Sequence, residues 1–309
     1  MKKIAFIFPG QGSQYVGMGK DFFDSFKSSK DIFTKADEIL GYSLSDIIFN
    51  GPDETLKLTK YCQLAVFVNS CAILAALKQT YPDMIPTSCA GLSLGEYSAL
   101  YASGKICFED ALKIIKKRAE LMSKSTALKK GTMLAVLGVE IDRLKNLIDG
   151  IKDLWVANLN TPQQIVLSGS FEAIEQAKTK LTENGIKKLI QLNVEGAFHT
   201  PFMDYAKENL KGDILKLNLK NSSIGICMNA NADILFDLEN IKRFLIQQIT
   251  SSVMWYDSIM KMDKDVDLFI EIGCSKTLTN MNKKININAK TISVEKVQDI
   301  NLAVEAINA

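Results

Sequence analysis

Histidine is nearly absent from this chain: 309 residues contain one, His199. A single imidazole leaves no material for a histidine-built metal centre. The six cysteines (Cys62, Cys71, Cys89, Cys107, Cys227 and Cys274) show no close paired spacing that would serve zinc or a disulfide framework. They read as reduced thiols in apolar surroundings, as expected of a cytoplasmic protein. Arginine is almost as scarce, at three against 34 lysines, and the net charge of +2 is too near balance to suggest a nucleic-acid partner. The apolar run from Leu64 to Leu77 is broken by Asn69 and Ser70 and falls short of the ~20 residues that span a bilayer. It reads as a core helix. The opening "MKKIAFIFPG" has too short an apolar stretch for a signal peptide and reads as a buried first strand. Neither a membrane nor secretion is expected.

Strand-like and helix-like runs alternate along the whole length, the pattern of an α/β protein with a largely parallel sheet. "KIAFIF" is a strand, with helical periodicity from about Lys20 to Leu40. Helices are expected near 53–58 and 60–80, a short buried strand at "TSCAGL", and helices near 94–103 and 108–125. From Gly131 the order is strand, helix, strand, strand, helix, strand, the βαββαβ series of a ferredoxin-like unit. The expected division is a large domain of residues 1–128 and 196–309 with a small subdomain, 129–195, inserted into it. A helix from Pro201, a strand near 224–228, helices near 238–249 and 255–263, the strand "DLFIEIG" and a closing helix complete the reading.

Three residues stand out against this background. Ser93 lies in "GLSLGEYSAL", a Gly-x-Ser-x-Gly between a β-like run and a helix-forming run, the context of a nucleophile elbow. A plain tight turn is the competing reading. His199 precedes Thr200 and Pro201, a helix cap and first turn. It is either an isolated, locally satisfied histidine or, should Ser93 be a nucleophile, the one imidazole able to take its proton. Arg118, in "FEDALKIIKKRAELMSK", falls on the helix face of Ala111, Ile115, Ala119 and Met122, opposite Lys113, Lys116, Lys117 and Glu120. Such a guanidinium either pairs with a buried carboxylate or waits to receive a ligand's carboxylate bidentately. "FPGQGSQ" after the first strand lacks the third glycine and directly following helix of a dinucleotide fingerprint. It is either a turn or a loop bringing a backbone N–H towards the nucleophile.

Together these segments resemble the malonyl-CoA:acyl carrier protein transacylase family. The likeness runs nearly end to end, through "FPGQGSQYVGMG", "GLSLGEYSAL", Arg118, "NLNTPQQIVLSG", "GAFHTPFM" and "EIGCSKTLT". The resemblance implies an α/β-hydrolase-like core with an inserted ferredoxin-like subdomain. It also implies ping-pong transfer of malonyl from malonyl-CoA to the phosphopantetheine thiol of acyl carrier protein, for fatty acid biosynthesis. A free-standing malonyl loader of a polyketide synthase and a serine acyl hydrolase or esterase are the alternatives. By resemblance Ser93 is the nucleophile, His199 its base, Gln11 and Leu94 supply the oxyanion-hole N–H groups, and Arg118 holds the malonyl carboxylate. Gln248 and Asn160 match positions at the active site. The family orients its histidine with backbone carbonyls, without an acidic third member. No metal or cofactor is implied. The chain departs from the family at Leu92, where histidine is usual, and at Cys274 in a Gly-Cys-Ser that replaces Gly-Pro-Gly.

Overall fold

The computed structural model describes residues 2–308 and contains two sheets. The larger is built from β1 (Ile4–Phe8), β2 (Ser88–Gly91), β7 (Gly225–Cys227), β8 (Ile234–Leu235), β9 (Leu268–Ile272) and β10 (Lys290–Val294). The smaller comprises β3 (Thr132–Leu137), β4 (Leu154–Thr161), β5 (Gln164–Gly169) and β6 (Lys188–Gln191). The strand order of the larger sheet is β10-β9-β1-β2-β7-β8, with five parallel strands and β8 antiparallel at the edge. Central strand β1 reads Ile-Ala-Phe-Ile-Phe and is buried at every position. An unbroken apolar run is what a strand covered on both faces requires.

The smaller sheet runs β4-β5-β3-β6 and is wholly antiparallel, with helices Ile141–Ile148 and Phe171–Glu183 as its crossovers. This is the ferredoxin-like arrangement, set beside an α/β-hydrolase-like core. The two sheets are tied together directly. Leu159 N–H donates to the Val253 carbonyl at 2.9 Å, and Val253 N–H donates to that of Ala157 at 2.8 Å.

Helix Thr59–Thr80 crosses the core of the larger unit, packed against helices Lys27–Leu40 and Phe108–Leu128. Its 22 residues are long and apolar enough to cross a membrane by length and composition, and 83% of its most apolar window is buried inside the protein. The helix matches the one expected near 60–80, and the apolar run from Leu64 to Leu77 is its central part.

Several elements differ from the sequence reading. The helical stretch from Lys20 breaks at Phe26, which is extended (φ −126°, ψ 122°), into helices Lys20–Ser25 and Lys27–Leu40. Helix Leu44–Asn50, capped by Ser43, was not expected. After β9 the chain forms helix Thr277–Ile285, then β10, then helix Asp299–Asn308, where one closing helix was expected. β10 is an edge strand paired only with β9, and only two of its five residues, Ile292 and Val294, are apolar.

What matters for function is where β1 and β2 end. They are adjacent and parallel, so the loop after Phe8 and the turn after Gly91 emerge side by side at the carboxyl edge of the sheet. Open α/β sheets place their ligand sites at that edge.

Candidate active site

The turn after β2 carries Ser93 with φ 51°, a left-handed conformation that L-residues adopt only when the surroundings enforce it. Three glycines make this possible. A Cβ on Gly91 would fall within bonding distance of the Gly95 main chain, one on Gly95 would strike the Phe8 carbonyl, and one on Gly10 would strike that of Leu92. The elbow and the β1 loop are thus pressed together, backbone on backbone. Leu92 N–H donates to the Phe8 carbonyl at 3.0 Å. Both glycines of Gly-Leu-Ser-Leu-Gly are therefore steric requirements.

His199 arrives from a separate loop, also at positive φ (59°), just before the Thr200-capped turn Pro201–Met203. Its Nδ1 lies 2.9 Å from the main-chain carbonyl of Gln248. A carbonyl only accepts, so Nδ1 bears the hydrogen and Nε2 presents its lone pair. That Nε2 is 2.8 Å from Ser93 Oγ, positioned to accept the hydroxyl hydrogen. Burial, first, and the Arg118 charge, second, lower the imidazole pKa to about 4. The ring is therefore a neutral base at physiological pH.

Arg118 is 1% exposed on helix Phe108–Leu128. Nη1 donates to Gln63 Oε1 at 2.5 Å, and Nη2 donates to Gln248 Oε1 at 3.0 Å and to Ser93 Oγ at 3.2 Å. Nε has no partner among the described residues. Burial lowers its pKa, opposed by Tyr97 and Glu96. The direct ion pair left open by the sequence is not what forms: the guanidinium's protein partners are amide and hydroxyl oxygens.

These groups open on a cavity of about 400 Å³ between the two sheets. Ser93, His199 and Arg118 meet there with Gln11, Leu94 and Asn160 on the wall. Asn160 sits at a β-bulge in β4, between register positions Leu159 and Thr161, and its buried Oδ1 has no partner among the described residues. Bulges commonly re-aim a side chain in this way. Gln248 stands behind the wall, its amide Nε2 donating to the Ser93 carbonyl at 2.7 Å and to Glu96 Oε2 at 2.6 Å. Leu92 lines the cavity beside Ser93 and packs against the apolar cluster of Ala5, Ile7 and Ala90. Cys274 is buried, 3.2 Å from Ser13 Oγ, and burial lifts its thiol to about 12, so it is a packed thiol and not a poised thiolate.

Three residues of the constellation were not singled out from the sequence: Gln63, Glu96 and Asn229. Asn229 accepts from Ser93 N–H at 2.6 Å and donates through Nδ2 to the Gly91 carbonyl at 2.8 Å, bridging the two sides of the elbow. Glu96 follows the elbow motif directly and is fully buried. Helix Gly95–Ala102 is buried at nearly every position, so it has no polar face against which Glu96 would stand out in the sequence.

Known proteins share this plan. The acyl transferase domain family matches residues 5–298. A malonyl CoA-acyl carrier protein transacylase of Bacillus subtilis is 40% identical, over 99% of this chain and 98% of its own. Among solved structures, the malonyl CoA-acyl carrier protein transacylase of Clostridium perfringens is 36% identical with a TM-score of 0.92, over 99% of this chain and 97% of that one. A malonyl-transacylase solved in complex with its type II polyketide synthase acyl-carrier protein is 28% identical with a TM-score of 0.94, over 98% and 99%. With that likeness over its whole described length, and a serine, a histidine and an arginine converging at the elbow, the chain belongs to the malonyl CoA-acyl carrier protein transacylase family of acyltransferases.

Proposed function

We propose that this protein transfers malonyl from malonyl-CoA to the phosphopantetheine thiol of acyl carrier protein through a malonyl-Ser93 ester, supplying fatty acid biosynthesis. One observation carries the reading: a serine activated by a neutral imidazole lies 3.2 Å from a buried arginine. A hydrolase of neutral esters has no use for that cation. An acyl group ending in a carboxylate does.

In the first half-reaction His199 Nε2 takes the Ser93 proton as Oγ attacks the thioester carbonyl, and returns it to the departing CoA thiolate. The developing oxyanion is received by the N–H groups of Gln11 and Leu94, which approach from the β1 loop and the elbow. The malonyl carboxylate pairs with Arg118, through Nε–H and the Nη2–H that meets Ser93 Oγ in the free protein. Asn160 Oδ1 is available to a donor on the acyl or pantetheine part. In the second half-reaction the carrier's thiol gives its proton to His199, attacks the ester and releases Ser93. None of these steps calls for a metal or cofactor. The carrier in this proposal is an acidic protein, docking on lysine-bearing surface near the cavity mouth, such as Lys57.

Initial rates with holo acyl carrier protein test this. The expected result is a pattern of parallel double-reciprocal lines, with transfer to the carrier far exceeding hydrolysis of malonyl-CoA. Hydrolysis that outruns transfer would make the protein an acyl hydrolase. Similarity to the malonyl-transacylase bound to a polyketide synthase carrier supports a second reading, a loader of polyketide carriers. Relative kcat/KM on fatty acid and polyketide carriers separates the two.

A further inference from the structure

Several hydrogen bonds that hold the elbow and its partners trace back to one side chain that does not reach the cavity. Glu96 is fully buried in the first turn of helix Gly95–Ala102. Its Oε1 accepts from the main-chain N–H of Asn229, and its Oε2 accepts from Gln248 Nε2 at 2.6 Å. Asn229 clamps the strained turn through Ser93 N–H and the Gly91 carbonyl. The Gln248 amide donates its second hydrogen to the Ser93 carbonyl, turns Oε1 towards Arg118, and contributes the main-chain carbonyl that fixes the His199 tautomer. Both carboxylate oxygens face N–H donors. A side chain with only one acceptor oxygen would set N–H against N–H and turn the Gln248 amide over.

Charge matters as well as shape. Glu96 is the carboxylate whose charge acts on Arg118, and it acts across the Gln248 amide instead of by contact. A carboxylate touching Arg118 would occupy the fork. One residue removed, it offsets the buried cation and leaves donors for an incoming anion. We propose that Glu96 is the positioning residue of this active site, aligning Ser93, His199 and Arg118 through Asn229 and Gln248, with its ionised form also offsetting the guanidinium. The inference rests on the acyl-transfer reading above.

The other ionisable groups facing Glu96 are Arg118, Tyr97 on its own helix, Cys227 on β7, and His199 across Gln248. Tyr97 and Cys227 are each pushed up to about 12 by burial and stay neutral, and arginine stays charged. Burial raises Glu96 to about 8 against the pull of its two donors and Arg118. Between pH 5 and 9 it is therefore the group here that changes charge.

The test uses Glu96→Gln and Glu96→Asp in the full chain with two readouts. The first is the single-turnover rate of malonyl-enzyme formation against pH. The second is the NMR titration of the imidazole in histidine-labelled protein, unambiguous because there is one histidine. In the unmodified protein the rate should rise as pH passes through about 8, and the His199 signals should step at the same pH besides titrating near 4. Glu96→Gln should slow acylation roughly a hundredfold, the usual result of misplacing reacting groups by an ångström, and remove the step from both readouts. Glu96→Asp, which keeps the charge, should recover part of the rate and keep the step. Acylation of Glu96→Gln within threefold of normal, or persistence of the step in it, would overturn the proposal. Should Glu96→Gln not fold, Glu96→Asp carries the test: its shorter arm cannot hold both Asn229 N–H and Gln248 Nε2, so acylation at the normal rate in it would overturn the proposal. The NMR readout needs no substrate. Absence of any malonyl-enzyme in the unmodified protein would therefore refute the acyl-transfer reading without deciding the role of Glu96.

Discussion

Replacing Arg118 with alanine should separate malonyl from acetyl transfer, and the structure sets the size of the separation. The guanidinium is buried, with Nε unpartnered and one Nη2 donor directed at Ser93 Oγ, so two donors can be offered to a carboxylate. Hydrogen bonds to charged groups contribute about 1.5–3 kcal/mol each. Two of them correspond to about 3–6 kcal/mol, or roughly 10²- to 10⁴-fold in kcat/KM for malonyl-CoA. Acetyl-CoA has no carboxylate to lose, so its transfer should fall only through the disturbance left behind, where Gln63 and Gln248 lose a donor. The assay is acyl-enzyme formation from each thioester by rapid quench and mass spectrometry. Arg118→Lys should lie between the two, since a point charge cannot reproduce a planar fork. Equal losses for malonyl and acetyl would refute the carboxylate-receptor role and reduce Arg118 to a packing element.

Other outcomes follow from the same geometry. His199 titrates near 4 when folded against about 6.5 when unfolded, so the unfolded chain binds its proton first. Its contribution should therefore destabilise the fold as pH drops from 6.5 towards 4, by about 2–3 kcal/mol at pH 4.5. Glu96 and Glu271, both raised, act in the opposite sense, so the effect is read as the difference between the unmodified protein and His199→Gln in urea midpoints at pH 7 and 4.5. A pH-independent difference would contradict it. Gly95→Ala, whose Cβ would meet the Phe8 carbonyl, should cost about 1–3 kcal/mol of stability and most of the acylation rate. A melting temperature and rate unchanged from normal would show that the elbow is not so closely packed. Cys274→Ser should transfer malonyl within about twofold of normal, and the native thiol should resist alkylation, because a buried thiol near 12 carries almost no thiolate at pH 7. Rapid labelling of Cys274 with loss of activity would contradict that reading.

Ser93, His199 and Arg118, the proposed nucleophile, base and carboxylate receptor, could be picked out of the sequence because each leaves a one-dimensional trace. Ser93 has its flanking glycines, His199 has no rival, and Arg118 is out of phase with the charged face of its helix. What stayed hidden is the layer behind them. Gln63, Glu96 and Asn229 come from three separate segments, and the hydrogen bonds that tie Glu96 to Asn229 and to Gln248, a residue the sequence placed at the site only by resemblance, link residues 133 and 152 positions apart. Periodicity says which face of a helix turns inward, but not which distant amide it will meet there. The same limit explains the fold. Strands and helices with strong apolar patterns were placed well, whereas β8, with two residues, and β10, at a sheet edge, depend on their neighbours for existence. The break at Phe26 is likewise a tertiary effect, since the residues on both sides continue a helical pattern.

The most direct test of the convergence of Ser93, His199 and Arg118 is to mix the protein with malonyl-CoA, quench, and map the modified residue by peptide mass spectrometry. One malonyl group should appear, on the peptide carrying Ser93, and it should vanish in Ser93→Ala and on adding holo carrier protein. Attachment at Cys274 or another residue, or no attachment to folded protein, would contradict the assignment of Ser93 as the acyl-carrying residue.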